Sequence, residues 1–230
     1  MKLILTEEEQ FLKDTAKNFA EERSPITHFR SLRDNADPIL WDKDMWQEMS
    51  KLGWPGIMIP EEFGGSNFGL SGICVVLQEC AKTLTPSPLF ATGVLGAYAI
   101  NNYGTKEQKE KYLPLIANGK LTTSVAVDES SHHNPNDTLL IAKKSADEFI
   151  LSGKKTFVID GTSSDLLIVL ARTSGEKGDS TGLTLFLIDS NSDGIDRIKL
   201  EMADSRNYAN IIFDNVKISS NNMLGDIEAG

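Results

Sequence analysis

The sequence predicts an α+β protein, in which an all-α helical domain over residues 1–120 precedes a mainly antiparallel β-barrel or sandwich domain over residues 121–230. Two patterns predict this order. Apolar residues recur at helical spacing up to about residue 117. From residue 121 onward they alternate or form short runs, separated by turns rich in glycine, serine, asparagine and aspartate. The 230 residues are 40% hydrophobic and 24% charged, a composition typical of a soluble globular chain with room for two domains.

Capping signals mark the first and the last of the predicted helices. Thr6 and Glu9 form a capping-box pattern, and the amphipathic segment that follows is interrupted at Ser24, which precedes a proline. Thr105 and Gln108 repeat the pattern ahead of a final helix that ends near residue 117. These two segments are therefore predicted as helices with defined starts.

Three further apolar patterns lie between these helices. One covers residues 41–52 and ends at Gly53, a residue type that favours helix C-termini. A loop rich in glycine and proline, residues 53–69, leads to a second helix over residues 70–83. The third, residues 89–103, is apolar on nearly every side, which predicts a helix buried among other parts of the protein.

The β domain is predicted from eight short segments. Residues 149–151 and 155–159 flank Ser152-Gly153, which predicts a hairpin closed by a glycine-containing turn. Residues 166–171 form an unbroken apolar run, which predicts a strand buried on both faces. The predicted strands are residues 122–127, 139–143, 149–151, 155–159, 166–171, 183–188, 195–200 and 209–218.

Charge and cysteine usage narrow the functional classes. The net charge of −10, without a basic stripe, argues against nucleic acid or an anionic membrane surface as a partner. The N-terminal MKLILTEEEQ has too few apolar residues for a secretory signal or a membrane span, so we expect a cytoplasmic protein. Cys74 and Cys80 have neither redox-motif nor zinc-ligand spacing, and we expect both to be core thiols.

Common catalytic and metal-binding motifs are missing from the sequence. It contains no GxGxxG, GxxxxGK[ST] or HExxH pattern. The run from Ser130 to His133 does not by itself predict nucleophilic catalysis, because a triad is a spatial arrangement that adjacency in sequence does not supply. His132 and His133 lack a third ligand at metal-binding spacing, since His28 is remote. We therefore predict no metal site and assign no catalytic residue.

Four segments closely resemble the acyl-CoA dehydrogenase family. They are TEEEQFLKDTAKNFAEE (6–22), WQEMSKLGWPGIMIPEEFGG (46–65), YGTKEQKEKYLPLIANGK (103–120) and FDNVKISSNNMLG (213–225). The second and third are specific in combination, and the fourth resembles the stretch that closes the middle β domain of that family. The resemblance covers nearly the whole chain.

The resemblance implies a helical N-terminal domain, a β domain that holds FAD, and a C-terminal four-helix domain. We expect this chain to lack the third domain, which in the family supplies the carboxylate that removes the α-proton. No residue here is therefore assigned as the catalytic base. The resemblance further implies an oligomeric flavoprotein oxidoreductase of fatty acid metabolism that acts on an acyl-CoA substrate.

The flavin positions of the family differ in part from this sequence. Asp128 stands where the family has the threonine of Thr-Glu-Pro, and an ionised carboxylate accepts hydrogen bonds without donating any. The family's Trp-Ile-Thr-Asn is present as Phe157, Val158, Ile159 and Asp160. This keeps an aromatic wall but removes a second hydroxyl. The residues that the resemblance assigns to FAD are Val125, Val127, Asp128, Asn134, Phe157 and Ile159.

Two functions of different classes follow from this comparison. In the first, the chain is part of an enzyme that oxidises an acyl-CoA to its 2,3-enoyl form, with hydride passing to FAD and electrons to an electron-transfer flavoprotein-like acceptor. Phe90 and Leu95 are then candidate walls for the acyl tail. In the alternative, the chain is a non-catalytic companion subunit or binding module with a degenerate flavin site, which pairs with a homologous active subunit.

Overall fold

The computed structural model describes residues 4–230 and confirms the α+β class, with helices preceding a sheet. Met1, Lys2 and Leu3, which open the N-terminal segment interpreted above, lie outside the described residues. Among the residues that are described, no helix is both long and apolar enough to cross a membrane. The helices are α1 (Glu7–Arg23), α2 (Ile26–Asp34), α3 (Lys43–Lys51), α4 (Gly69–Lys82), α5 (Ala97–Tyr103) and α6 (Lys106–Ala117).

The predicted helix starts are confirmed at the level of individual hydrogen bonds. The side chain of Thr6 accepts from the backbone N–H of Glu9, and the Glu9 carboxylate accepts in return from the Thr6 N–H. Thr105 and Gln108 make the same reciprocal pair at the start of α6. Both capping boxes satisfy N–H groups that would otherwise lack a partner at a helix N-terminus.

Two predicted segments have a more complex backbone than the sequence indicated. The loop over residues 53–69 contains two short 3-10 turns, Trp54–Gly56 and Glu61–Phe63. The predicted helix over residues 89–103 begins as a π-helical segment, Phe90–Gly96, and continues as α5. This segment lies against the sheet: the Thr123 N–H donates to Thr92 Oγ1 at 3.0 Å, and a Cβ added at Gly96 would lie 1.8 Å from Thr123 Oγ1.

We expect Gly96→Ala to lower the free energy of unfolding by roughly 1–3 kcal/mol, because the added methyl group overpacks the contact with Thr123. Helix propensity alone favours alanine over glycine by about 1 kcal/mol, so a loss of stability would report the tertiary contact. Urea unfolding measures the change. Tyr98→Ala, at an exposed position of α5, is the control and should change stability by less than about 0.5 kcal/mol. A Gly96→Ala variant as stable as the original chain would contradict this packing.

The β region is a single sheet of eight strands. Most neighbouring pairs are antiparallel, whereas β4 pairs in parallel with both β1 and β2. The sheet follows the order β6-β7-β3-β2-β4-β5-β8, with β1 beside β4, and this path is not closed into a barrel. The strands are β1 (Thr123–Ala126), β2 (Ile141–Ser145), β3 (Glu148–Ile159), β4 (Leu166–Arg172), β5 (Leu183–Asp189), β6 (Ile195–Leu200), β7 (Tyr208–Ser219) and β8 (Met223–Leu224).

The predicted hairpin turn at Ser152-Gly153 is wrong. Residues on both sides of it belong to one continuous strand, β3, and the hairpin instead joins β2 to β3 through Ala146 and Asp147. Gly153 lies at an irregularity in the pairing of β3 with β7 and has φ 147°. A side chain there would place its Cβ 2.8 Å from the Leu140 Cα. The glycine therefore permits a close backbone approach within a strand rather than a turn.

Strand β4 is buried along its whole length, as predicted. Leu167, Val169 and Ala171 contribute to the core between parts of the sheet. Leu166 and Ile168 belong to a different cluster, shared with the α5 and α6 region. Residues 166–171 of the strand are all apolar because the helical half of the chain covers one of its faces.

The expectation for the two cysteines is right for one of them. Cys80 is buried in the helical core, and burial raises the pKa of its thiol to about 11. Cys74 is exposed, so its prediction as a core thiol is wrong. The two residues lie six positions apart, and that spacing places them on different sides of α4.

Candidate functional site

The structure brings the predicted flavin positions of β1 and β3 together. The Thr156 N–H donates to the Asp128 carbonyl oxygen at 2.7 Å, just beyond the end of β1. Val127 and Asp128 therefore lie beside the segment of β3 that carries Phe157. Val125, also assigned to this surface, is half-buried within β1.

Phe157 occupies an irregular point of β3. The pairing with β7 shifts register between Lys155 and Val158, and Phe157 has a left-handed φ of 52°. Its side chain is 41% exposed, whereas Ile159, which pairs with Tyr208, is half-buried. β-Bulges and residues with strained backbone conformations occur preferentially at functional sites. The bulge presents an aromatic ring at the surface, as a wall beside a bound flavin requires.

The polar groups of this surface fit FAD only in part. Asp128 lies 2.9 Å from His133 Nδ1, and this carboxylate cannot supply the hydrogen bond that a hydroxyl would donate. Ile159 has no polar atom in its side chain. Asn134 is exposed on the adjacent loop, where it lines a cavity of about 70 Å³ together with Val127. The apolar and aromatic side chains suit a flavin ring, whereas Asp128 and Ile159 do not supply the two hydroxyl donors that the family has at these positions.

A buried ion pair lies beneath the surface formed by Val127, Asp128 and Phe157. Lys155 has no exposed side-chain area, and its Nζ lies 2.8 Å from both the Val127 carbonyl oxygen and Glu129 Oε1. The Glu129 carboxylate also accepts from the backbone N–H groups of Leu139 and Leu140. Burial lowers the pKa of Lys155, and the Glu129 carboxylate opposes this shift. The pair connects the strands that carry the candidate flavin residues.

The burial of Lys155 is not among the features that the sequence predicted. Lys155 follows another lysine, and the turn predicted at Ser152-Gly153 separated it from Phe149 and Leu151, whose buried alternation continues to Lys155. An alternation count continued without a break from Phe149 would have been the available signal.

A cavity of about 190 Å³ lies next to the same end of β3, between the helical half and the sheet. Phe90, predicted as an acyl wall, lines it. Leu95, the other predicted wall residue, is half-buried on the same helical segment and is not among the lining residues. The cavity walls comprise Phe29, Leu40, Trp41, Leu77, Cys80, Ala81, Leu84, Thr85, Pro86, Ser87, Phe90, Asp160, Asp204, Arg206 and Asn207.

Asp160 is the most unusual group in the cavity wall. It is 3% exposed, and its Oδ2 has no hydrogen-bond partner in the described part of the chain. Burial raises the pKa of this carboxyl to about 7, and the positive charge of Arg206 opposes the shift. The sequence showed an aspartate at the asparagine position of a family motif, and that substitution was the signal for this site.

The polar loop from Ser130 to His133 forms no nucleophilic constellation within the described residues. Ser130 Oγ bonds to the backbone of His132, and His133 bonds to Asp128. Across residues 4–230, no three His, Cys, Asp or Glu side chains are grouped so that they could hold a metal ion.

Both halves of the chain match models of known protein families. Residues 6–120 match the model of the acyl-CoA dehydrogenase N-terminal domain, and residues 127–216 match that of the acyl-CoA dehydrogenase middle domain. The two matches together include most of the chain.

Similar proteins include both reductases and dehydrogenases. A 3-(aryl)acrylate reductase of Clostridium sporogenes is 28% identical over 99% of this chain and 61% of its own length. An acryloyl-CoA reductase (NADH) of Anaerotignum propionicum is 30% identical over 98% of this chain and 58% of its own. The butyryl-CoA dehydrogenase structure from Megasphaera elsdenii superposes with a TM-score of 0.86 at 27% identity, covering all of this chain and 61% of that one. The chain thus spans about three-fifths of these relatives.

Proposed function

Because the chain belongs to the acyl-CoA dehydrogenase family, we propose that it forms the helical and β parts of a flavoprotein that interconverts an acyl-CoA and its 2,3-enoyl form. The similarity to reductases as well as dehydrogenases supports the reaction pair in this general form. Within it, we propose dehydrogenation of the acyl-CoA as the direction. The proposed division into domains at residues 120 and 121 follows the change from helices to strands.

One observation carries this proposal. The end of β3 that presents Phe157 and Ile159 is followed directly by Asp160, which lines the cavity that also contains Phe90. A flavin against the first two residues and an acyl tail in the cavity would therefore be neighbours. This is the relative placement that hydride exchange between an acyl group and a flavin requires.

The residues of this chain would bind and orient the two molecules. Phe157 would form a wall beside the flavin ring, with Val125, Val127 and Ile159 as apolar contacts and Asn134 near the diphosphate. Phe90 would contact the acyl tail, and Leu95 lies further along the same helical segment. FAD, when bound, would supply the two-electron acceptor of the reaction. We assign no base to this chain. A cytoplasmic location and an electron-transfer flavoprotein-like acceptor complete the proposal.

A specific observation favours a second candidate function. The surface lacks two hydroxyl donors, and the carboxylate of Asp128 already has a partner in His133. A fold that has kept its packing but lost donors at a cofactor surface suits a companion subunit that pairs with an active homologue. The two candidates differ in whether FAD binds.

We expect Asp128→Thr to tighten FAD binding roughly tenfold to a hundredfold. A restored hydroxyl partner contributes roughly 1–3 kcal/mol, and each 1.4 kcal/mol corresponds to about a tenfold change in affinity. Titration of FAD with the protein, followed by flavin fluorescence, measures the dissociation constant. Asp193→Thr, at an exposed position in the turn between β5 and β6, makes the same exchange away from the surface and should leave affinity unchanged.

The titration also separates the two candidates. Measurable binding by the original chain, tightened by Asp128→Thr, supports the flavoprotein. Binding by neither protein would reject the flavin assignment and leave the companion-subunit function as the better account.

A further inference from the structure

The 190 Å³ cavity is built jointly by the two halves of the chain. Trp41 Nε1 donates to Ser163 Oγ at 3.0 Å, and Asn207 Nδ2 donates to the Ile39 carbonyl oxygen at 2.9 Å. The carbonyl oxygen of Asn207 in turn accepts from the Asp160 N–H at 2.8 Å. These bonds hold the polar wall of the cavity against its helical walls.

The cavity is large enough for part of a small ligand and divides into two kinds of surface. An engineered apolar cavity of about 150 Å³ binds benzene, and this one is larger. Phe29, Leu77 and Phe90 belong to its apolar side, which comes from the helical half. Asp160 and Arg206 belong to the sheet side. Such a cavity suits an apolar chain with one polar end.

The polar side contains two groups whose hydrogen-bonding capacity is not fully used within the described chain. Asp160 Oδ2 has no partner. Arg206 forms no ion pair within 4 Å among residues 4–230, and its only side-chain hydrogen bond there is a long one, at 3.4 Å, to the Ser87 carbonyl oxygen. A buried polar atom without a partner costs roughly 1–3 kcal/mol, so a ligand that satisfies it gains affinity.

The charged residues of the cavity wall favour a neutral polar group on the ligand over a charged one. A carboxylate would face Asp160 and Asp204, and an ammonium group would face Arg206. A hydroxyl group is neutral and both donates and accepts. We propose that this cavity recognises an acyl group with a hydroxyl near its distal end, which donates to Asp160 and accepts from Arg206. This inference rests on the proposed function, because it assigns the cavity to the acyl part of the substrate.

The first test measures binding to the cavity without a thioester. The probes are 1-hexanol and heptane, which have the same number of non-hydrogen atoms and differ in the terminal hydroxyl. Both are titrated into the 230-residue protein and into Asp160→Ala, and binding is followed by the indole N–H resonance of Trp41. We expect the hexanol-to-heptane affinity ratio to fall about tenfold in Asp160→Ala. Asp193→Ala, which removes an exposed carboxylate, should leave the ratio unchanged. Arg206→Met should lower the same ratio. If Asp160→Ala does not fold, Arg206→Met takes its place in the test. An unchanged ratio in the cavity variant overturns the proposal.

The second test compares 6-hydroxyhexanoyl-CoA with heptanoyl-CoA in the same proteins. Preference for the hydroxylated thioester that is lost in Asp160→Ala supports the proposal. Equal binding of both thioesters overturns it and leaves the acyl-CoA function standing. If the hexanol ratio shifts but neither thioester binds, the acyl assignment is wrong, and the failure then lies with the proposed function.

Discussion

Asp160→Asn is expected to raise the free energy of unfolding at pH 8 by on the order of 4 kcal/mol, because it removes a buried carboxyl whose pKa is raised from 3.8 to about 7. At pH 8 the original carboxylate is ionised in an almost fully buried position, and its Oδ2 has no hydrogen-bond partner among residues 4–230. Asparagine is neutral at every pH. It also tolerates the left-handed φ of 56° at this position better than most residues.

The contribution of Asp160 to the free energy of unfolding depends on pH. Between about pH 4 and pH 7 the folded chain retains a proton on Asp160 that the unfolded chain releases. The stability contributed by this group is therefore complete below about pH 4 and is lost as the pH rises to about 7. The gain in Asp160→Asn should be small at pH 4 and reach its full value by pH 8.

Urea unfolding at both pH values measures the gain, and Asp193→Asn serves as the exposed control without a pH-dependent effect. A gain of the same size at pH 4 and pH 8 would show that relief of backbone strain, rather than removal of a buried charge, is responsible. No gain at either pH would show that the carboxyl is satisfied in solution.

Lys155→Met is expected to lower the free energy of unfolding by roughly 3–5 kcal/mol, the range for loss of one partner of a buried ion pair. Methionine fills a similar volume, so the loss reports the charge and not a cavity. Without Lys155 Nζ, the Glu129 carboxylate and the Val127 carbonyl oxygen each lose a donor in the interior. The strands beneath the proposed flavin surface would lose their common partner.

Two controls accompany the unfolding measurement on this variant. Lys154→Met changes the adjacent, exposed lysine and should have an effect within about 0.5 kcal/mol. The double variant Lys155→Met/Glu129→Gln leaves no unpaired charge, while the glutamine oxygen can still accept from a backbone N–H. It should recover part of the loss. A Lys155→Met protein as stable as Lys154→Met would mean that the ion pair contributes nothing.

Local signals in the sequence predicted much of the architecture. The capping boxes at Thr6 and Thr105 involve residues three positions apart, so their hydrogen bonds form within one helical turn. The run over residues 166–171 predicted a strand buried on both faces, which β4 is. The turn predicted at Gly153 is wrong because a glycine at a turn and a glycine at a close strand contact look the same in sequence.

By itself, the sequence determined the order of helices and strands, their approximate limits and the family resemblance, because these depend on short-range periodicity and on residue identity. Only the tertiary structure decided which polar groups are buried. Lys155 and Asp160 are ordinary charged residues in the sequence, and their perturbed pKa values arise from desolvation by segments far away in the chain. The cavity beside Asp160 likewise exists only because residues 29–90 and 160–207 meet there.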